Sequence, residues 1–144
     1  AALGYLRTAR ETGRIVAQGS IPQGPGYFVP PTLVADIADD NPLIAEETFG
    51  PVRTILRYSD VDDAVRRVNA TQYGLGNSVW GNDIAQAAAV AAQLESGTAW
   101  VNQHFALSPD VPFGGRKQSG LGVEFGTDGL NAFTDIQVIN ISKV

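Results

Sequence analysis

Apolar residues fall at helical spacing between residues 61 and 70. They lie three or four positions apart, which places them on one face of a helix. The positions concerned are Val61, Ala64, Val65 and Val68. Ser59 or Asp60 is suited to cap the first turn, because either side chain can accept a hydrogen bond from a free backbone N–H. The pattern therefore predicts an amphipathic helix over 61–70.

Two other segments have helical composition. Residues 1–13 are rich in alanine and other good helix formers and end at Gly13. The segment 84–95 follows a capping residue, Asp83, and is closed by Gly97. Both segments are predicted as helices.

Short apolar runs between these helices predict strands. The candidates are 14–17, 27–34, 52–58, 77–80 and 98–101. Pro30 and Pro31 demote the second candidate to an edge or irregular segment, because proline has no N–H for a sheet ladder. The Gly- and Pro-rich segment 19–26 and most of 102–120 are predicted as loops. Strands that alternate with helices predict an α/β fold with a largely parallel sheet.

The composition indicates a globular protein and excludes several functions. Apolar residues make up 44% of the chain and charged residues 17%. A net charge of −5 argues against nucleic-acid binding, which needs clustered positive charge. The chain has no cysteine and one histidine, His104, so thiolate catalysis and Cys- or His-based metal sites are excluded within these residues. The apolar stretch 85–94 is too short to span a bilayer and no signal peptide is visible, so we expect a cytoplasmic protein without a membrane partner.

Two glycine-rich segments imitate nucleotide-binding motifs. Residues 120–126 (GLGVEFG) have the glycine spacing of a dinucleotide fingerprint, but they follow a polar loop where that motif requires a strand. Residues 114–120 (GGRKQSG) resemble a phosphate-binding loop only loosely, because the order of lysine, serine and glycine is wrong. Neither segment is interpreted as a nucleotide site.

The segment 46–52 (EETFGPV) predicts a rigid corner that leads into a strand. Gly50 permits unusual backbone geometry and Pro51 fixes the direction in which the chain leaves. A carboxylate at this corner could accept hydrogen bonds from the two hydroxyls of a ribose, and a ring could cover a flat heterocycle. From the residues alone, a pair of surface acids and a core phenylalanine is the favoured interpretation.

A second candidate region begins where the strand 98–101 ends. Its loop carries His104, Phe105 and Leu107, and Phe113 follows next to a diglycine. Loops at strand ends commonly hold substrate contacts in α/β enzymes. His104 has no evident catalytic partner in the sequence, which favours a hydrogen-bonded loop residue over a general base.

Five segments together resemble the aldehyde dehydrogenase superfamily. They are EETFGPV (46–52), YGLGNSVW (73–80), SGTAWVNQH (96–104), PFGGRKQSGLG (112–122) and EFG (124–126). They occur in the order and spacing of that family, and the match extends over nearly all of the chain. The resemblance implies the C-terminal part of the family's catalytic domain, a three-layer α/β/α structure over 1–129, followed by an oligomerisation strand over 130–144.

The resemblance also implies roles for five residues. Glu47 is similar to the glutamate that binds the nicotinamide ribose hydroxyls, and Phe49 to the phenylalanine beside the nicotinamide ring, with NAD or NADP as the cofactor. Phe113 is similar to the aromatic residue at the inner end of the substrate tunnel. Phe105 and Leu107 fall where members vary the tunnel wall, so we expect them to contact the side chain of a small-molecule aldehyde.

Family chemistry needs residues that this sequence does not contain. In the family, a cysteine thiolate attacks the aldehyde, the thiohemiacetal transfers hydride to NAD(P), and a glutamate-activated water hydrolyses the thioester. That cysteine, the glutamate and the dinucleotide-binding domain lie upstream of EE-x-FGPV in family members. We therefore expect a C-terminal fragment of an enzyme, inactive alone. A non-catalytic structural or assembly module of the same family is the alternative, and a generic α/β binding domain with coincidental motifs is a third.

The C-terminal segment 132–144 is predicted to be extended, with apolar side chains on both faces. These are Phe133, Ile136, Val138, Ile139, Ile141 and Val144. An edge strand folded onto its own domain is one interpretation. The resemblance favours another, in which the strand passes to a neighbouring subunit of a homodimer or homotetramer.

Overall fold

The structure is a computed structural model, and it describes residues 2–143. The chain forms two compact units; the first ends at Ser59 and the second begins at Asp60. Both units combine helices with short strands, and each contains a parallel strand pair. The α/β fold class predicted from the sequence is confirmed.

The first unit is a three-stranded sheet covered by two helices. Its elements in chain order are α1 (Ala2–Thr12), β1 (Arg14–Gln18), β2 (Thr32–Ala35), α2 (Pro42–Ala45) and β3 (Val52–Ile55). Strand β2 is central; it pairs antiparallel with β1, across a bulge, and parallel with β3. The core consists of buried side chains from both helices and from β2, β3 and the residues after β2: Leu6, Ala9, Val34, Ile37, Leu43 and Val52.

The second unit contains a parallel pair connected by a helix. Its elements are α3 (Val61–Asn69), β4 (Tyr73–Gly74), β5 (Gly76–Val79), α4 (Ile84–Ala91), β6 (Thr98–Val101), β7 (Phe113–Gly114), β8 (Arg116–Lys117), β9 (Val123–Glu124) and α5 (Gly126–Asn131). Strands β5 and β6 pair in parallel, and α4 packs against both. Two short antiparallel pairs, β4 with β8 and β7 with β9, hold the long segment that follows β6.

Capping residues predicted from the sequence mark two helix starts correctly. Asp60 accepts hydrogen bonds from the backbone N–H groups of Asp62 and Asp63, and Asp83 accepts one from Gln86. In the first unit, Asn41 caps α2 through a hydrogen bond from the Leu43 N–H, with Pro42 in the first turn. Each cap satisfies an N–H group that the helix itself leaves unpaired.

The predicted strand over 27–34 was wrong in its first half. The strand begins only at Thr32, after the two prolines. The Thr32 hydroxyl donates to the Pro30 carbonyl at 2.9 Å, and the Thr32 N–H donates to the Pro51 carbonyl at 2.8 Å. The first residue able to donate a ladder hydrogen bond therefore starts the strand.

The helix predicted over 84–95 ends earlier, at Ala91. Beyond it the bonding tightens, because Gln93 and Leu94 donate to carbonyls three residues back. The next N–H, that of Glu95, donates to the side chain of Asn69 at 2.9 Å. A partner distant in sequence thus replaces the last helical turn. Six short elements within residues 2–143 were not predicted, namely α2, β4, β7, β8, β9 and α5.

The predicted extended segment at the C-terminus forms neither a helix nor a strand over 134–143. Its apolar side chains in the described part of the chain are exposed: Phe133, Ile136, Val138, Ile139 and Ile141. Val144 lies outside the described residues.

Replacing Asn41 with alanine is expected to lower the free energy of unfolding by about 1–2 kcal/mol. Asn41 is buried, caps α2 and donates to the Thr12 hydroxyl at 2.8 Å. Its loss would leave the Leu43 N–H without its partner and would remove the link between α2 and Thr12 of α1. Urea unfolding followed by circular dichroism measures the change. Asp40→Ala, at the neighbouring exposed position, is the matched control, and equal effects of the two substitutions would refute the capping role.

Candidate functional site

The corner over 46–52 connects α2 to β3 and is held at both ends. At its start, Glu46 ends α2 by donating its N–H to the Pro42 carbonyl at 3.0 Å, and its carboxylate accepts from the Tyr5 hydroxyl at 2.8 Å. At its end, the Pro51 carbonyl accepts from the Thr32 N–H. Glu47 is exposed and makes no hydrogen bond or ion pair with residues 2–143.

Phe49 stands out at this corner. Its φ angle is +41°, in the left-handed region that costs a side-chain-bearing residue about 1–2 kcal/mol. Its side chain is 90% exposed, so packing within this chain does not offset that cost. The sequence-based interpretation of a core phenylalanine was therefore wrong, whereas that of surface acids holds for Glu47 within this chain.

Arg53 lies across the same corner. Its Nη1 donates to the Gly50 carbonyl at 2.6 Å, the Val52 carbonyl at 3.1 Å and the Thr48 hydroxyl at 3.2 Å. These acceptors precede and follow Phe49. The guanidinium therefore bonds the residues on both sides of the exposed ring, Thr48 through its hydroxyl and Gly50 through its carbonyl.

In the second unit, the loop after β6 is built around a buried tryptophan. Asn102 leaves the strand with φ +52° and exchanges two hydrogen bonds of 2.8 Å with the backbone of Gly81. The Trp100 indole N–H donates to the Ala106 carbonyl at 2.9 Å, which folds the loop back over the ring. The loop that carries the candidate substrate residues is thus fixed to the scaffold at two points.

Three aromatic side chains meet beside this loop. Phe105 and Phe113 are in edge-to-face contact at 5.9 Å between ring centroids, and the Trp100 ring lies 6.2 Å from Phe105 and 6.4 Å from Phe113. Phe105 is 57% exposed and Leu107 is also exposed, whereas Phe113 is partly covered. Phe105 has a φ angle of +55°. The cluster offers an apolar surface that this unit leaves open.

His104 is a hydrogen-bonded loop residue. Its Nδ1 lies 2.5 Å from the Ser78 hydroxyl, and its ring contacts the edge of Trp100. No acidic side chain is bonded to it within residues 2–143. The arrangement matches the interpretation favoured from the sequence.

Close backbone packing explains the first glycine of the diglycine. A Cβ on Gly97 would lie 1.7 Å from the Gly114 carbonyl oxygen, and a Cβ on Gly114 would lie 2.7 Å from the Gly122 carbonyl oxygen. No larger residue fits at either position. This contact sets the distance between the start of β6 and the segment that carries Phe113.

Lys117 ties the PFGGRKQSG segment to the ends of two helices. Its ammonium donates to the carbonyls of Asn69 and Thr71 at 2.6 and 3.1 Å, and it pairs with the Glu95 carboxylate at 2.7 Å. The hydrogen bond from Lys117, and then its charge, hold the pKa of Glu95 below the ordinary value of 4.5. The Ser119 hydroxyl adds a bond from the Gly74 N–H at 2.9 Å.

The described residues offer no metal centre and no membrane helix. Within 2–143, no group of three or more His, Asp or Glu side chains is placed to hold a metal ion. The helices in this range lack the length and apolar character needed to cross a bilayer.

The family is decided by a comparison with known proteins. The chain matches the family model described as "Aldehyde dehydrogenase family" over residues 2–139. It belongs to the aldehyde dehydrogenase family. The resemblance found in its sequence motifs is thereby confirmed.

Individual family members show the extent of the match. The chain is 39% identical over 140 residues to aldehyde dehydrogenase 1A1 of Bos taurus, covering 96% of this chain and 28% of that protein. It is 36% identical over 143 residues to a betaine aldehyde dehydrogenase of Rhizobium etli, covering 96% and 29%. A solved structure of aldehyde dehydrogenase from Bacillus cereus in complex with NAD+ superposes with a TM-score of 0.88 at 36% identity, covering 98% and 29%. The chain thus spans under a third of the length of these relatives.

The predicted site residues divide between the two units of this family member. Glu47 and Phe49 lie at one corner of the first unit, and Phe105, Leu107 and Phe113 lie in the second. The structure brings Phe105 and Phe113 into contact, and Leu107 is exposed on the same loop as Phe105. Sequence reasoning missed the residues that hold these loops, Arg53, Ser78 and Lys117. Lys117 and Ser78 had a signal in the sequence, their places in the PFGG-x-K-x-SG motif and in the YGLGNSVW segment, whereas Arg53 had none.

Substitution of Glu95 should destabilise the protein in a pH-dependent way. Because the pKa of Glu95 is lowered on folding, its contribution is present above pH 4.5 and is lost as the pH falls through the folded-state value. Glu95→Gln should therefore be less stable than wild type at pH 7 and approach it in acid. Lys117→Met should remain less stable than wild type both at pH 7 and in acid, because the hydrogen bonds from Lys117 to the Asn69 and Thr71 carbonyls do not titrate. Urea unfolding at pH 7 and below pH 4.5 measures both variants. If the stability of the two variants changed with pH in the same way, the assignment of the pH-dependent contribution to Glu95 would be contradicted.

Proposed function

We propose that this chain forms the C-terminal part of an NAD(P)-dependent aldehyde dehydrogenase that oxidises an aldehyde to a carboxylic acid. The observation that carries the proposal is Phe49, an aromatic ring held almost fully exposed on left-handed backbone. An aromatic ring exposed to water does not stabilise the fold, but a flat ligand such as nicotinamide would bury the face of the ring. NAD+ in the Bacillus cereus relative supports this choice of ligand.

The acceptor group at the corner, the Glu47 carboxylate, fits the nicotinamide end of the cofactor. The Glu47 carboxylate is exposed and is not engaged by other residues in 2–143. A carboxylate accepts hydrogen bonds only, and ribose hydroxyls are suitable donors. Glu47 would thus orient the ribose, while Phe49 lies against the ring. NAD or NADP, when bound, supplies the hydride acceptor.

The aromatic cluster of the second unit fits the apolar part of an aldehyde. Phe105, Phe113 and Leu107 present carbon surface and no charge. Apolar surface with few polar groups is typical of small-molecule sites. Phe113 would lie toward the reacting carbonyl, with Phe105 and Leu107 along the rest of the substrate.

The reaction further requires a nucleophile and a general base. The sequence contains no cysteine, so a thiolate that forms a thiohemiacetal would come from a part of the protein beyond these residues. The chain would contribute cofactor orientation, substrate contacts and assembly. By itself it is not expected to oxidise aldehydes.

Assembly is the second function that an observation favours. The side chains of Phe133, Ile136 and Ile141 are 90%, 95% and 85% exposed, and residues 134–143 pair with no strand of this chain. Soluble proteins rarely leave apolar residues and unpaired backbone open to water together. A neighbouring subunit of a homodimer or homotetramer would cover both. A non-catalytic assembly module would use the same segment.

Replacing Glu47 with glutamine in the full-length protein should impair turnover more than aldehyde affinity. Loss of a charged acceptor should cost about 1.5–3 kcal/mol of cofactor positioning, and hydride transfer is sensitive to small misplacements. Steady-state kinetics at saturating cofactor measure the effect. Glu11→Gln, an exposed residue of α1 in the same unit, is the matched control. Kinetics of Glu47→Gln equal to those of the control would rule out the ribose role.

Deleting residues 133–144 from the full-length protein should lower its oligomeric state. The segment exposes apolar groups that a neighbouring subunit would bury. Light scattering coupled to size-exclusion chromatography gives the mass in solution. Deletion of 142–144 alone, which keeps the large apolar side chains, should leave the mass per oligomer nearly unchanged. An intact oligomer after the longer deletion would show that the segment is not needed for assembly.

A further inference from the structure

We infer that Arg53 is a positioning residue that fixes the corner over 46–52 for binding of the nicotinamide ribose. This inference rests on the proposed function, because it assigns Arg53 to the site formed by Glu47 and Phe49. The guanidinium itself is not placed against the cofactor. Its Nη1 is engaged by protein acceptors at Thr48, Gly50 and Val52.

The first step of the argument is what the corner lacks. Phe49 has φ +41° and is 90% exposed. Strained conformations persist only where neighbouring groups determine them. No packing of the ring does so here. The conformation must therefore be held by the backbone on either side.

The second step is where the other anchors act. Tyr5 holds Glu46 and Thr32 holds the Pro51 carbonyl, so both act at the ends of the corner. The Thr48 hydroxyl reaches the Val52 carbonyl at 3.4 Å, a long bond across the corner. Among residues 2–143, Arg53 is the side chain bonded directly to both neighbours of Phe49. Its 2.6 Å bond to the Gly50 carbonyl is the shortest of the set.

The third step separates positioning from global stability. The Arg53 side chain is exposed, while Thr48 and Gly50, which it bonds, are half-buried, and contacts of exposed charged side chains contribute little to the free energy of unfolding. Their effect is local, because they restrict the conformations of a flexible Gly-Pro corner before a ligand arrives. Preorganisation of this kind acts on ligand affinity. Loss of Arg53 should thus weaken cofactor binding while the melting temperature stays close to that of wild type.

The test measures equilibrium binding of NAD+ to the full-length protein by isothermal titration calorimetry. Arg53→Met should raise the dissociation constant about fivefold, the effect expected for one net hydrogen bond. Arg53→Lys keeps a donor for the carbonyls and should give a smaller increase. Arg14→Met is the matched control, because Arg14 lies in the same sheet and its exposed partner is Asp36, outside the corner.

A double substitution distinguishes the route of the effect. If Arg53 acts by orienting Glu47, then Glu47→Gln should cost less in the Arg53→Met background than in the wild type. The inference would be overturned if Arg53→Met bound NAD+ with the same affinity as the Arg14→Met control. It would also be overturned if the dissociation constant of the double variant rose by the product of the two single effects, because the two residues would then act independently. If Glu47→Gln itself leaves NAD+ affinity and turnover unchanged, the proposed function fails first. Should Arg53→Met not fold, Arg53→Lys and Thr48→Ala, which removes one acceptor, allow the same comparison.

Discussion

Backbone groups left unpaired at the ends of short elements are the constraint on which this fold depends. Such groups must find partners. Three asparagine side chains supply them, since an amide can donate and accept at once. Asn41 caps α2 and bonds Thr12, Asn69 bonds the Gln93 carbonyl and the Glu95 N–H, and Asn102 bonds both backbone groups of Gly81. The loop that carries Phe105 and Leu107 is fixed in this way by Asn102.

Local chemistry in the sequence was sufficient to predict how α3 and α4 begin. An aspartate before an apolar run specifies its own cap, so Asp60 and Asp83 were predicted correctly. The end of α4 was not predictable, because it depends on Asn69, which lies 26 positions before Glu95. The late start of β2 depends similarly on Thr32 meeting Pro51. The helical or extended character of these segments follows from neighbouring residues. The residue at which α4 ends and the residue at which β2 starts follow from contacts between residues distant in sequence.

The candidate site shows the same limit more clearly. Residue chemistry favoured a buried Phe49, because phenylalanine is usually buried. The structure places it in the open, and only family resemblance had linked it to a cofactor. Exposure could not be inferred locally, because it depends on a left-handed backbone held by Arg53, four residues further along. The contact between Phe105 and Phe113 was likewise beyond the sequence, since it depends on how Trp100 folds the loop back.

Two of the apolar surfaces that residues 2–143 leave uncovered differ in kind. Phe49 is a single ring on strained, hydrogen-bonded backbone. Such an arrangement specifies one position for one small flat partner. The exposed residues from Phe133 to Ile141 follow one another on chain without helix or strand bonds. Over 135–141 the backbone forms no strand pairing within residues 2–143, and the apolar side chains are exposed, a combination that a small molecule cannot satisfy but another strand can. The form of each surface thus fits the partner proposed for it, a cofactor for Phe49 and a protein subunit for the C-terminal segment.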